Sequence, residues 1–511
     1  MENRGKRIDS IANQRQLKVA QPGEGIVVAG VPLGPSEFQR RHIRSVVDGI
    51  EQQLKTFVTV SNVDKQDRSH QTLVKIIRLC LPAQLTYLLR VTPPSITTPE
   101  ARRVDSLIQS TIATFISADL TSVNDASVAE AVRRLHLPYH EGGMGIHSVA
   151  ATCVPAYVSS FALVGVEAAA FTPSVPATLL APHAQEMQAS LDSLRKQACF
   201  AAKLNGINVA GLLSKQIPGF QATLMDLYNK ADSKALLDSL QGIRKAVFIS
   251  SCTPEAAAWL DAGPGENGGA MPNADYDTAY KLRLGVPLFK PTDQCPDCHV
   301  PVGIHGDHAF SCPKLQGQRT NRHTAFQEGV SIPLREVAKL GIHLYTNKPM
   351  NGWYEHTAAG RTGGGPLRNR PVDLRMDIGV EDHNDGPAAR YIVDFTITHV
   401  TEQHLSLREA AKAKEDEKHK KYTSNYRIPQ PDKYLVPWAV EWPGAWGPRA
   451  HKFVHLLLEW RSKYGSATHL DNMAFTRRLR ERTAVAVQSA NAAAIRLLRV
   501  RLAGGGAAPS Q

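Results

Sequence analysis

Cysteine, aromatic residues and long apolar runs are all scarce in this chain. Only seven of its 511 residues are cysteine and 6% are aromatic. Four of the cysteines stand alone in apolar surroundings, which argues against a disulfide framework and suits a reducing compartment; they are Cys80, Cys153, Cys199 and Cys252.

The longest apolar stretch, 154–166, is too short to cross a bilayer. The N-terminal residues are polar and do not form a secretory signal. We therefore expect no membrane partner and a nuclear or cytoplasmic location.

The composition is that of a globular protein with a basic surplus. Hydrophobic residues make up 42% and charged residues 21% of the chain, as in ordinary soluble domains. A length of 511 residues predicts two to four domains. The net charge of +12 and the pI near 9.3 indicate a polyanionic partner, most simply a nucleic acid.

Three of the cysteines belong to a cluster with the spacing of a zinc site. A Cys-x-x-Cys turn is followed by His-x-x-x-Cys, which together bring four ligands within reach of a tetrahedral ion; the four are Cys295, Cys298, His308 and Cys312. His299 and His305 are rival ligands. The alternatives are a surface loop with incidental cysteines and a redox Cys-x-x-Cys, although no βαβ pattern surrounds the motif.

Two acidic segments follow the cysteine cluster, and both have the pattern of strands. Residues 370–377 alternate so that Asp373 and Asp377 share one face, and 391–399 is β-branched and aromatic with Asp394 on one face. The polar stretch 381–387 between them predicts a turn, so the two strands form a hairpin that brings Asp373 and Asp394 together. Two such carboxylates form a hard-oxygen site suited to magnesium.

A helix is predicted from Leu405 to Tyr422, since this segment has no Gly or Pro. Lys418 and Lys421 recur on one side, and a lysine over the metal pair would orient the attacking water and offset charge on the phosphate. The alternative for the lysines of this helix is a solvated, salt-bridged surface. A further strand is predicted from Tyr434 to Glu441; Glu441 lines the metal site or caps the sheet edge.

These motifs resemble, in their order, the C-terminal region of site-specific non-LTR retrotransposon polyproteins with a restriction-like endonuclease. The motifs are the Cys-Cys-His-Cys cluster, Arg322-His323, Pro371-x-Asp373, Asp394-x-Thr396 and Lys418-x-x-Lys421-Tyr422. The resemblance implies a PD-(D/E)xK-like nuclease whose catalytic lysine is displaced from the acidic strand to a helix.

The resemblance also implies roles for single residues. Asp373 and Asp394 would hold magnesium, Lys418 or Lys421 would act with them, and Glu441 would assist. Asp377 is an alternative first ligand, because a single residue separates Pro371 from Asp373. Next to the zinc knuckle, the positive charge expected to meet phosphate comes from Arg319, Arg322 and His323.

The same resemblance extends to the rest of the chain. Gly25 to Gly34 is predicted to be a buried strand and resembles the reverse transcriptase palm just after Tyr-x-Asp-Asp, a motif that the chain lacks. We therefore expect no DNA polymerisation by this chain.

The expected fold is α + α/β. The expected domains are, in order, a palm remnant (1–40), a helical thumb-like region (41–165), a helical linker (166–285), a zinc knuckle (286–330), a restriction-like endonuclease with a mixed sheet and flanking helices (331–450), and a basic helix with a disordered tail (451–511).

Three functions compete on this basis. The first is a retrotransposon fragment that nicks a DNA target and that binds element RNA as a further partner. The second is a decayed copy that binds nucleic acid without cutting it, and the third is a structural zinc protein. The arginine-rich helix at 475–502 either lies against nucleic acid or closes the core.

Overall fold

The computed structural model describes residues 23–64, 67, 69–122, 125–171, 177–214, 216–263, 269–338, 342–349, 371–378 and 389–504. The turn expected at 381–387 lies outside the described residues, as do most of the expected palm remnant and the tail from 505 onward. Within the described part the chain is mostly helical, with one four-stranded mixed sheet and one two-stranded sheet. The expected combination of helical regions with a small mixed sheet is therefore correct.

The elements up to residue 284 are helical apart from one short hairpin. They are β1 (Ile26–Val28), β2 (Val31–Leu33), α1 (Ser36–Val63), α2 (Ser69–Val91), α3 (Pro94–Ile116), α4 (Ala126–His136), α5 (Val149–Phe171), α6 (Ala177–Arg195), α7 (Ala198–Ala201), α8 (Val209–Ser214), α9 (Phe220–Ser239), α10 (Gly242–Ser251), α11 (Pro254–Ala257) and α12 (Asn273–Leu284), with 3₁₀ turns at Tyr139–Glu141 and Ala258–Leu260.

The elements after residue 284 contain the larger sheet. They are α13 (His308–Ser311), α14 (Gln316–Ala338), β3 (Ile342–Pro349), β4 (Pro371–Ile378), β5 (Ala389–Thr398), α15 (Glu409–Asn425), α16 (Pro431–Tyr434), β6 (Leu435–Glu441), α17 (Pro448–Gly465) and α18 (His469–Ala503).

The first hairpin corrects one expectation. The segment Gly25 to Gly34 was expected to form one buried strand, but β1 and β2 are three residues each and pair with one another. Val27, Val28 and Leu33 are 44–49% exposed. Gly30, at φ +80°, allows the chain to reverse between the strands. The β-forming residues of the segment therefore pair with one another in a local hairpin.

Contacts divide the chain into two units. The helical unit comprises the described residues within 1–59, 76–111 and 147–231, and the sheet unit comprises those within 60–75, 112–146 and 232–511. In the helical unit, Tyr157 and Val158 of α5 pack with Met187 and Leu191 of α6 and with Leu224 of α9 in one buried cluster. By length and composition alone, α2 is long and apolar enough to cross a membrane, a property that buried core helices share.

The sheet of the second unit has the order β3-β4-β5-β6. β3, β4 and β5 are antiparallel neighbours, and β6 joins β5 in parallel. β6 is buried along its whole length and reads as an almost continuous apolar run, which is typical of a parallel strand covered on both faces.

Helices cover both faces of this sheet. On one face, β4, β5 and β6 pack against α14, α17 and α18 around Phe326, Phe395 and Trp438. On the other face, Ile392 and Leu435 meet Tyr422 and Tyr426 of α15. Because side chains alternate along a strand, Asp394 lies on the α15 face between core residues of the opposite face.

The arginines of α18 are held mainly within the sheet unit. Arg478 pairs with Glu336 at 2.7 Å, Arg496 with Asp275 at 2.5 Å, and Arg501 with Asp297 at 2.7 Å. Phe475, Leu479, Ile495 and Leu498 are buried on the same helix. One face of this helix therefore closes the core, and the other role considered for it, a position against nucleic acid, stays a prediction.

Candidate metal centre and acidic cluster

The four residues of the predicted zinc site converge in the structure. Each offers a ligand atom, and these atoms lie within 4.8 Å of one another. Cys312 Sγ lies 3.9 Å from Cys295 Sγ and 3.8 Å from Cys298 Sγ, and His308 Nε2 lies 3.1 Å from Cys298 Sγ. Ligand bonds of about 2.3 Å to sulfur give tetrahedral edges of about 3.8 Å. The group can therefore hold a metal ion, and its ligand types are compatible with zinc.

A tight turn positions the first two cysteines of this group. The amide of Cys295 donates to the Val300 carbonyl at 2.9 Å, and the amide of His299 donates back to Cys295 at 2.8 Å. His299 itself takes the left-handed conformation at φ +58° and is exposed. This turn brings Cys295 and Cys298 into the group of four ligands, and the exposed His299 is not part of that group.

The other rival histidine is also outside the group. His305 Nδ1 lies 3.4 Å from the Val286 carbonyl, and its Nε2 is buried. Burial lowers the pKa of His305 to about 4, so the ring is neutral at physiological pH. Of the ligand sets that the sequence allows, the structure brings together Cys295, Cys298, His308 and Cys312.

The Cys–His group is part of a hydrophobic core. Cys295 and Cys312 are 0% and 1% exposed and pack with Phe310, Trp442 and Ile495. Burial raises the pKa of Cys295 to about 11, so without a cation the thiol form is strongly favoured. A bound zinc ion would compensate the buried thiolates and cross-link this part of the core.

The two predicted acids lie where β4 and β5 separate. The last pair in the register is Leu374 with Val393, and Asp373 and Asp394 are the next residue of each strand. Asp373 is 8% and Asp394 is 5% exposed. Asp377, the alternative first ligand, is opposite Arg390 in the register, and its side chain lies outside the described part of the structure.

Asp373 is held by three contacts. Its Oδ2 accepts a hydrogen bond from the Phe395 amide at 2.6 Å, and His323 Nε2 lies 3.1 Å from the same oxygen. Gln327, one turn after His323, donates to the Asp373 carbonyl at 2.8 Å. No described residue donates to Asp373 Oδ1. The hydrogen bond to Asp373 raises the pKa of His323.

Asp394 is contacted from α15. Tyr422 donates its hydroxyl hydrogen to Oδ1 at 2.9 Å, and Lys418 Nζ lies 2.8 Å from Oδ2. The Lys418 contact is an ion pair whose angles leave Oδ2 without an aligned hydrogen bond. Burial raises the pKa of Asp394 and the charge of Asp373 adds to the effect, while Lys418 opposes it.

The structure distinguishes the two candidate lysines. Lys418 is 20% exposed and reaches Asp394, whereas Lys421 is exposed. The helix explains the difference: Lys418 and Tyr422 are four residues apart and therefore lie on one face. Lys421 lies one residue before Tyr422 and so is rotated away by about 100°.

Glu441 is separate from the acid pair. Asp394 is opposite Pro437 in the β5–β6 register, and Glu441 is four residues further along β6, or about 13 Å. Glu441 Oε1 accepts the Ala411 amide hydrogen at 3.1 Å. The residue therefore caps the first turn of α15, and the expectation that it assists at the metal site is not supported by its position.

The basic residues after the zinc motif also differ from expectation. Arg322 is 5% exposed, donates to Asn491 Oδ1 at 2.9 Å and stacks its guanidinium 4.9 Å from the Phe310 ring. Burial lowers the pKa of Arg322 to about 10. Arg319 is exposed and donates to the Ser311 carbonyl at 2.5 Å. Arg322 is thus an internal link and cannot present its charge to phosphate, and His323 belongs to the acidic cluster.

The place of His323 had a signal in the sequence. His323, Phe326, Val330, Leu334 and Val337 follow the three- and four-residue spacing of one helical face, and the last four are buried. A histidine at the start of an apolar stripe points at the sheet rather than at solvent. That spacing predicts that His323 faces the sheet, where Asp373 lies, rather than a nucleic-acid surface.

A scan against models of known protein families gives no match, and a search of curated proteins also finds none. The resemblance to retrotransposon polyproteins therefore rests on the motifs and their order.

Proposed function

We propose that this chain is the C-terminal portion of a retrotransposon reverse transcriptase–endonuclease whose sheet unit nicks a DNA target. The observation that carries the proposal is the convergence of Asp373, Asp394 and Lys418. Two carboxylates at the separation of neighbouring strands, with an ammonium 2.8 Å from one of them, are the groups that metal-dependent phosphodiester hydrolysis requires. They also match the displaced-lysine PD-(D/E)xK arrangement that the resemblance implies.

The donor set at the acid pair fits magnesium. Asp373 Oδ1 accepts no hydrogen bond from a described residue, and Asp394 Oδ2 is buried without an aligned donor. These are hard oxygen ligands from one or two carboxylates, which magnesium prefers together with water and phosphate oxygens. Asp373 and Asp394 would hold the ion, which would lower the pKa of a bound water and stabilise negative charge on the phosphate.

The protein groups around the pair have separate tasks. His323, Gln327 and the Phe395 amide hold Asp373 in one orientation. Tyr422 holds Asp394, which leaves the Lys418 ammonium to orient water and to offset the charge that develops in the transition state. The Cys–His group stabilises the adjacent core rather than taking part in the chemistry.

The alternative is a protein that binds nucleic acid without cutting it. One observation favours this alternative: each carboxylate already has a basic partner, His323 for Asp373 and Lys418 for Asp394. Such pairs compensate buried charge without a metal ion, and a protein that keeps them for stability alone would be a structural zinc protein or a decayed copy.

Nicking of supercoiled DNA in magnesium separates these functions. Asp394→Asn keeps the size of the side chain and an acceptor for Tyr422 but removes the charge, so we expect nicking to be lost while DNA binding persists. Glu417→Ala is the matched control, because Glu417 is exposed on α15 and pairs with Lys414; it should nick at the parental rate.

Each outcome of this assay decides between the functions. Equal nicking by the parent and Asp394→Asn would remove the acid pair from the mechanism. Intact binding with no magnesium-dependent nicking by any of the three proteins would establish the non-cutting alternative.

A further inference from the structure

A second charged cluster in the sheet unit surrounds a single buried acid. Glu255 of α11 is 1% exposed. Arg408 Nη1 lies 3.2 Å from its Oε2, while Arg480 Nε and His451 Nε2 lie 3.4 Å and 3.7 Å from its Oε1. Two guanidinium groups thus face one carboxylate, which leaves a surplus of positive charge.

Much of the donor capacity of these arginines is unused. Arg408 makes its hydrogen bonds to described residues through Nη1, whose two hydrogens are shared among three acceptors: Glu255 Oε2, the Trp446 carbonyl at 3.0 Å and His451 Nε2. Its Nε and Nη2 have no acceptor among the described residues. Arg480 Nε lies 3.4 Å from Glu255 Oε1 as an ion pair without an aligned hydrogen bond, and neither Nη group of Arg480 has an acceptor in the same part of the structure.

The side chains that carry these donors are partly exposed. The side chains of Arg408, His451 and Arg480 are 22%, 33% and 35% exposed. Glu255 and the Trp446 carbonyl fix the guanidinium of Arg408, and the His451 ring packs 5.8 Å from the Trp446 ring. The Arg408 donors are therefore held in place before any ligand arrives, which lowers the entropy cost of binding.

We propose that the guanidinium groups of Arg408 and Arg480, with the His451 ring beside them, form a binding site for a phosphate group. Guanidinium donors arranged as forks match the oxygen atoms of a phosphate better than a single ammonium does. The chain's net charge of +12 makes a phosphate-bearing ligand the expected class. The phosphate comes either from a nucleic-acid backbone or from a small phosphate-containing molecule.

This site is independent of the proposed nuclease. Arg408 precedes α15 and Lys418 is ten residues later, which separates them by about 15 Å along the helix. None of the three residues contacts Asp373 or Asp394 in the described structure. Loss of phosphate binding and loss of nicking can therefore be measured separately.

The test compares a charge-neutral double variant with a surface control in the full chain. Glu255→Gln combined with Arg480→Gln removes one charge of each sign, so the net charge is unchanged and no buried carboxylate is left with a missing partner. The control is Arg477→Gln on the same helix, whose guanidinium is 68% exposed and pairs with Glu481. This control lowers the net charge by one.

Two measurements identify the source of the phosphate. For duplex DNA, the slope of log K against log salt should fall by about 0.9 per lost phosphate contact in the double variant and by less than half of that in Arg477→Gln. For inorganic phosphate, the ³¹P line broadening caused by the parent protein should fall at least several-fold in the double variant and persist in the control.

The two results together decide the proposal. Loss of the DNA slope identifies the nucleic-acid backbone, and loss of phosphate broadening with an unchanged slope identifies a small phosphate ligand. If the double variant matches the parent in both measurements, the proposal is wrong. Should it fail to fold, Arg480→Lys keeps the charge beside Glu255 but loses the fork; phosphate broadening equal to that of the parent would then overturn the proposal.

Discussion

Lys418 and Asp394 form an ion pair between a helix and a strand, with Nζ 2.8 Å from Oδ2. Tyr422, one turn later on the same helix, donates to the other oxygen of that carboxylate at 2.9 Å. Two successive turns of α15 therefore hold one side chain of β5. The rotational setting of the helix determines which lysine can act on Asp394.

Replacing Lys418 by alanine should lower the nicking rate strongly. The change removes the one described ammonium beside Asp394, and loss of a preorganised charge-stabilising group lowers rates by about 10²- to 10³-fold. The exposed Lys421→Ala variant is the control and should stay within a few-fold of the parent. The measurement is single-turnover nicking at saturating magnesium; a larger loss in Lys421→Ala than in Lys418→Ala would reverse the assignment.

Cys312→Ser should remove the metal ion from the Cys–His group. Cys312 Sγ is within 3.9 Å of both other sulfur atoms, so its replacement breaks the tetrahedral set. Metal analysis should find about one zinc per chain in the parent and much less in the variant, together with a lower melting temperature. Cys80→Ser, at an exposed and isolated cysteine, should change neither quantity; equal zinc in both variants would contradict the site.

Arg322→Ala should destabilise the protein without a specific effect on DNA binding. The change leaves Asn491 Oδ1 without its buried donor and removes the stacking on Phe310, which corresponds to about 2–3 kcal/mol. Arg319→Ala, at an exposed position, should stay within about 0.5 kcal/mol. Urea denaturation measures both, and parental stability of Arg322→Ala would show that the buried link is dispensable.

Glu415 predicts a pH dependence of stability. It is 0% exposed and accepts the Arg449 and Ala450 amide hydrogens at the start of α17. Burial raises its pKa from 4.5 to about 7. The folded state therefore holds the proton more tightly than the unfolded state, so the contribution of Glu415 is complete below about pH 4.5 and is lost as the pH rises through 7.

The corresponding variant is Glu415→Gln, which cannot titrate. Between pH 5 and pH 8 the parent should lose more unfolding free energy than this variant, as measured by urea denaturation at each pH. Glu417→Gln, with its side chain 60% exposed on the same helix, should follow the parent. Parallel pH profiles for the parent and Glu415→Gln would refute the prediction.

The sequence predicted the elements around the acid pair well because their signals are local. The strands at 371–378 and 389–398, the helix at 409–425 and the strand at 435–441 all have strong propensity or periodicity. The Cys–His spacing likewise determines a site within eighteen residues. Whether the three strands join in one sheet, and which face of it the helix covers, are long-range properties that the pattern alone leaves open.

The charged residues that lie away from their expected surroundings have partners that are distant in the chain. Arg322 meets Asn491, which is 169 residues away, and Glu441 caps a helix that starts 32 residues before it. Charge predicts exposure on average, because burying an unpaired charge is costly. The folded chain brings a distant residue next to the charged group and so removes that cost. A short segment of sequence around the charged residue does not contain this partner.

The last helix has a consequence for how the protein is made. Phe475 and Leu479 complete the core behind the sheet, and Ile495 and Leu498 complete the core around the cysteines. A ribosome synthesises this helix after the other elements described above, so neither core can close while the chain is still being translated through residue 469. A premature stop codon there would leave every candidate metal ligand encoded and would still leave both cores open.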